Sequence, residues 1–164
     1  MAKAWPIEGL APEAPVTECA RRIVGTRFRE MLHYMDGAIS GDDITQLHAM
    51  RVSTRRLRAA LKNFRPCFDR EAHRYHSRRI RDVARALGSV RDLDVRIRWL
   101  EGIRDGAAAQ ELPGIDLLVE RARGDRERAR GPMIELLERL RGENYEDEFL
   151  AFAGAAPAER NRRG

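Results

Sequence analysis

Between His48 and Arg65 the chain carries six arginines or lysines and no acid. His48, Arg51, Arg55, Arg58 and Lys62 are spaced 3, 4, 3 and 4, which at 100° per residue confines them to roughly 80° of one helical face. Leu47, Met50, Leu57, Leu61 and Phe64 form a second stripe about 110° away, so this helix buries one side and runs a ladder of cations along its border. A helix needing only solubility would intersperse glutamates one turn before its arginines. The ladder's mutual repulsion calls instead for an anion opposite. The alternative is a solvated basic face in an Arg-rich chain.

A second ladder follows. Arg74, Arg78, Arg81 and Arg85, spaced 4, 3 and 4, lie within about 60° of one another on the next helix. Arg suits an extended polyanion because its planar fork donates two hydrogen bonds to phosphate oxygens and stays charged at any physiological pH. His48 can donate as an imidazolium, or as a neutral ring orient Arg51, or simply sit satisfied at a helix contact. His33, His73 and His76 read as structural.

The chain has 164 residues, enough for one domain. Only Lys3 and Lys62 of its 31 basic residues are lysines, so Arg abundance alone can reflect base composition. Distribution is more informative: residues 48–104 hold 16 basic and 6 acidic residues, +10, and the rest hold 15 and 20, −5. Charge concentrated in this way marks an anion-binding surface. Cys19 and Cys67 belong to no metal or redox spacing and predict a reducing, cytoplasmic compartment. The N-terminus lacks a continuous apolar signal region, and no run approaches the roughly 18 apolar residues of a membrane span.

The elements that must hold these residues are helices, since aromatics are few and β-branched runs scarce. Residues 1–15, with Pro6, Pro12 and Pro15, predict an extended lead-in that can dock Trp5 and Ile7 on the body. A first helix is expected from Val16 to Met35, presenting Ile23, Met31, Leu32 and Met35, with a turn over Asp36-Gly37 and Ser40-Gly41-Asp42. Asp42 or Asp43 caps the ladder helix, and Pro66 stops it. The third helix is predicted from Arg70 to Arg104, interrupted or bent near Gly88-Ser89 where its apolar face rotates. The fourth runs from Ile115 to Arg141 with Leu118, Ala122, Ala129, Met133, Leu136, Leu137 and Leu140 inward and a kink at Gly131-Pro132. Tyr145 to Phe152 predicts a short helix, and residues 153–164 a disordered tail. The expected fold is all-α, an antiparallel bundle of four main helices plus a short C-terminal one, over residues 16–152.

The run H-A-M-R-V-S-T-R-R-L-R-A-A-L-K-N-F-R-P with its lead-in G-D-D-I-T-Q-L, followed about twenty residues later by A-L-G-S-V-R-D-L-D-V, resembles the CHAD family, the conserved histidine alpha-helical domains. His48, Arg51, Arg55, Arg56 and Arg58 all match the family pattern. The resemblance implies a helical bundle with a basic surface that binds inorganic polyphosphate, often in prokaryotes and sometimes at polyphosphate granules, without catalysis; no metal or cofactor is expected. Arg91, Asp92 and Asp94 also match. Because carboxylates repel phosphate, the two aspartates are expected to aim arginines or to cap a restarted helix. A full-length family domain has two such bundles, and this chain resembles one half. That predicts a two-fold homodimer, with the second copy covering the ladder's flanks at Met50, Val52 and Leu57.

Other chemistries fit less well. H-A-M-R-V-S only weakly resembles the H-x-x-K-G-S pattern of histidine phosphotransfer domains, because Val52 replaces the small residue there. Glu30-x-x-His33 has the spacing of a di-iron pair but lacks a second E-x-x-H. Neither a phosphate-gripping glycine loop nor a triphosphatase motif is seen. Nucleic acid is the remaining rival, although the ladders contain no aromatic for stacking on bases.

Overall fold

The computed structural model describes residues 3–154, and within them no strand occurs. The helices are α1 (Val16–His33), α2 (Met35–Ser40), α3 (Ile44–Asn63), α4 (Arg70–Arg104), α5 (Leu112–Gly142) and α6 (Tyr145–Phe152), with one 3₁₀ turn, Arg65–Cys67, between α3 and α4. Four long helices and a short C-terminal one are therefore present, as the sequence predicts, together with an unexpected short α2. Of the expected tail, residues 155–164 lie outside the described residues.

Side-chain pairing defines the antiparallel order. Arg104, Arg123 and Arg126 bond to Asp116, Glu101 and Asp94, so α4 and α5 run in opposite directions. The His73 ring near the start of α4 meets the carbonyl of Leu61 near the end of α3. Arg91, further along α4, shares a cleft with His48 near the start of α3.

The main core gathers Phe28 and Met31 from α1, Met50, Leu57 and Leu61 from α3, Ile80, Val83 and Leu87 from α4, and Met133 and Leu137 from α5. Phe149 of α6 stacks on Phe28 with ring centroids 3.9 Å apart. α4 spans about 52 Å against about 30 Å for α3. Beyond the reach of α3 the α4–α5 hairpin makes its own small core from Leu100, Val119 and Ala122, with Ile97 and Ile115 packed on it.

Several expectations are corrected. The first helix ends at His33, where Tyr34 departs from helical geometry, and Asp36-Gly37 is helical within α2 rather than a turn. Gly37 serves close packing: a Cβ there would come within 2.6 Å of the Gln46 side chain in α3's first turn. The reversal falls at Gly41, whose φ of 74° lies in the left-handed region. α4 passes unbroken through Gly88-Ser89, with Ser89 Oγ donating back to the Arg85 carbonyl. α5 begins at Leu112, with Pro113 in its first turn, and is helical across Pro132. Leu118, expected inward, is exposed. Met50, Val52 and Leu57 are all buried within the chain's own core, so the apolar flank expected to draw a second copy is absent there.

The lead-in docks as expected at Trp5. Its carbonyl accepts from Arg27 Nη1 at 3.0 Å, and its ring lies 5.3 Å from that of His33.

Candidate functional site: a cationic groove between two helices

Both ladder helices start from aspartate caps. The Asp43 carboxylate accepts from the Thr45 amide at 2.8 Å. The Asp69 carboxylate accepts from the Glu71 and Ala72 amides at 3.0 and 2.9 Å, and these amides hold its pKa below the usual carboxylate range. Leu57 and Leu61 on one helix and Ile80 and Val83 on the other are buried in a shared core, which sets the rotation of each helix about its axis. That rotation turns Arg55, Arg58 and Lys62 of α3 toward Arg81 of α4.

These four cations line an open groove of about 650 Å³, and Arg65, from the 3₁₀ turn, joins them. His73 and Ser77 also line it. His73 is buried, and its Nε2–H donates to the Leu61 carbonyl at 2.9 Å, occupying one of the acceptors that α3's last turn leaves open.

None of the five groove cations has a carboxylate partner among the described residues. Several arginines elsewhere are paired: Arg22 with Glu18, Arg79 with Glu143, Arg104 with Asp116, Arg123 with Glu101 and Arg126 with Asp94. Acids are plentiful in the chain, but packing steers them away from this groove. Five guanidinium and ammonium groups without counter-charges raise the local potential, and a multivalent anion would relieve the repulsion.

The other end of the ladder is a separate cleft. His48 shares it with Arg91 and Arg98. The His48 Nδ1 is buried without a hydrogen-bond partner. Burial, followed by the nearby Arg91 and Arg51 charges, holds the imidazole below its ordinary pKa, so the ring is neutral at pH 7. Arg51, half-buried on α3, lies between the two clefts in sequence.

The remaining predicted residues divide. Arg74, Arg78 and Arg85 are exposed on α4 but do not line the groove; Arg85 pairs with Asp82 at 3.2 Å, and Arg74 comes within 3.9 Å of Glu71. Arg56 was grouped with the binding residues from the sequence, yet its Nη1 donates to Glu30 at 2.6 Å, on the side of α1. A residue 100° round the helix from Arg55 reaches a different neighbour. Asp94 is buried; it accepts from Arg126 Nε at 2.6 Å and lies 4.0 Å from Arg91, so it does aim arginines. Asp92 is exposed and has no ion-pair partner among the described residues.

A family model, the CHAD domain, matches residues 22–163. The chain belongs to the CHAD family. No curated protein matches this CHAD domain. Within it, sequence reasoning missed Arg65 and Arg98. Arg98 follows Arg91 by seven residues, a spacing that could have revealed it. Arg65 lies past the end of α3, where periodicity carries no signal. Glu30, read as half of a failed di-iron pair, is a buried carboxylate held by Arg27 and Arg56 at 2.6 Å each. Among the described residues no group of three or more His, Cys, Asp or Glu side chains could hold a metal. No helix among the described residues is long and apolar enough to cross a membrane.

Proposed function

We propose that this CHAD domain binds inorganic polyphosphate along the α3–α4 groove, as a non-catalytic module in the cytoplasm and at polyphosphate granules. The observation that carries the reading is the convergence of Arg55, Arg58, Lys62, Arg65 and Arg81 on one groove, with no carboxylate partner among the described residues. A linear polyphosphate offers about one charge per phosphate and can follow the groove, accepting bidentate hydrogen bonds from successive arginines. The cleft of His48, Arg91 and Arg98 extends the path toward the other end of α3.

Nucleic acid is the second reading, since basic helices attract phosphates of any kind. Against it, the groove lining contains no Phe, Tyr or Trp on which bases could stack. The test is competition of long-chain polyphosphate against single-stranded and duplex DNA, RNA and orthophosphate over a salt series. Long polymer should bind tightest, with log Kd rising with log salt at a slope of about 4, for five cations each displacing counterions. Equal binding of orthophosphate and polymer, or preference for DNA or RNA, would overturn the reading.

A further inference from the structure

The exposed face of α4 changes character along its length. Arg74, Arg78, Arg81 and Arg85 occupy one stripe, and the same stripe continued past Gly88 reaches Asp92, Arg96, Trp99 and Ile103, all within about 60° around the helix. Trp99 is 64% exposed and Val95 beside it 52%; across the hairpin, Leu117 and Leu118 of α5 are 69% and 51% exposed. Val95, Trp99 and Leu118 line an open depression of about 760 Å³. Beneath it lies the small core that α4 and α5 build by themselves. A surface tryptophan with aliphatic neighbours on two helices is an unusual concentration of apolar area for water to cover.

We propose that this face is covered by a second copy of the chain, in a two-fold dimer with the two α4 helices antiparallel. The charges around the depression select that occupant. Two acids, Asp92 and Asp125, and two bases, Arg96 and Arg121, surround the apolar residues. Asp92, Arg96 and Arg121 have no ion-pair partner among the described residues. A polyanion would meet carboxylates here, and an acidic or basic protein would meet charges of its own sign. A surface with equal numbers of both signs complements itself under a two-fold axis. With the axis passing between Asp92 and Arg96, each Asp92 faces the partner's Arg96, and each Trp99 lies over the open surface at the partner's Gly88, where no side chain rises. The arrangement also keeps like charges apart. The centres of the two α4 ladders fall at opposite ends, about 40 Å from one another at 1.5 Å per residue. Both grooves stay open, so the dimer does not depend on polyphosphate.

Sedimentation of the full chain without polyphosphate, over a concentration series, tests this. A concentration-dependent dimer is expected, and a monomer at every concentration would overturn the proposal. Trp99→Glu should raise the dimer Kd about thirtyfold or more, as loss of a central aromatic anchor does, with helical circular dichroism unchanged. Retained dimerisation in that variant would also overturn it. Asp92→Arg and Arg96→Asp should each weaken association and together restore it; a double variant no better than either single would rule out this pairing. Polyphosphate binding, measured on Trp99→Glu in parallel, reports on the groove alone, so the two readings can fail separately.

Discussion

Arg56 Nη1 lies 2.6 Å from Oε1 of Glu30, a carboxylate with no exposure to solvent, and Arg27 holds the other oxygen at 2.6 Å. This pair separates two adjacent arginines by role: Arg56 ties α3 to α1, and Arg55 lines the groove. Burying one carboxylate against two largely covered arginine side chains is tolerable only while the set is complete. Glu30→Ala should therefore cost about 3–5 kcal/mol in urea unfolding, because it strands two partly desolvated cations. Arg56→Ala should lower stability more than polymer affinity, and Arg55→Ala the reverse. Equal effects of the two arginine variants on both measurements would contradict this division.

Replacing Arg55, Arg58 and Arg81 together with Ala should weaken polyphosphate binding and reduce the salt slope by about one per residue removed. The fold should persist, since removing neighbouring like charges relieves repulsion in the free protein. Leu57 is completely buried, so Leu57→Ala should cost about 2–5 kcal/mol. A triple variant that unfolds beside a stable Leu57 variant would invert the assignment of faces.

His48 is expected to make polyanion binding pH-dependent. Its pKa in the free protein is held below 6.5 by burial and then by Arg91 and Arg51. A bound polyanion opposes those positive charges and raises the pKa, so binding takes up a proton. Affinity should then increase as pH falls through the region below 6.5, and His48→Gln should flatten the profile. Titration calorimetry in buffers of different ionisation enthalpy would detect the proton. A wild-type profile as flat as that of His48→Gln would exclude His48 from the bound anion's surroundings.

His76 affects stability instead. The ring is buried among Tyr145, Phe149 and Phe152, with Nδ1 3.2 Å from the Tyr145 hydroxyl. Burial, then the Arg79 and His73 charges, push its pKa down to about 4. Because the folded value lies below the unfolded 6.5, the unfolded chain binds the proton more readily. The neutral ring's stabilisation is complete above pH 6.5 and is lost progressively as pH falls toward 4. The loss approaches about 3 kcal/mol, the energy of a shift of this size. Urea midpoints from pH 7 to 4 should fall in the wild type and fall less in His76→Phe; parallel curves would show that another group controls acid sensitivity.

Much of the fold follows from local physics. Asp43 and Asp69 cap helices whose starts are therefore legible, and Pro66 marks where α3 must end. The 3, 4, 3, 4 spacing places His48, Arg51, Arg55, Arg58 and Lys62 on one side of their own helix whatever surrounds it. Gly37 and Leu118 were misread for a shared reason. A glycine before a polar run resembles a turn unless a neighbouring helix needs its missing side chain, as Gln46 does. A leucine in an apolar stripe points inward only where a third helix covers it, and the α4–α5 hairpin outruns α3 at that point.

Sequence by itself determined the angular position of each side chain about its own helix axis, because the backbone repeat of 3.6 residues is local. Tertiary packing alone decided which of those positions meet an acid, another cation or water. Glu30 reaches Arg56 across 26 residues of chain, and Arg65 and Arg81 join Arg55 only because Leu57, Leu61, Ile80 and Val83 fix how two helices turn toward each other. Pairing of charges depends on distances between helices, which no periodicity within one helix encodes.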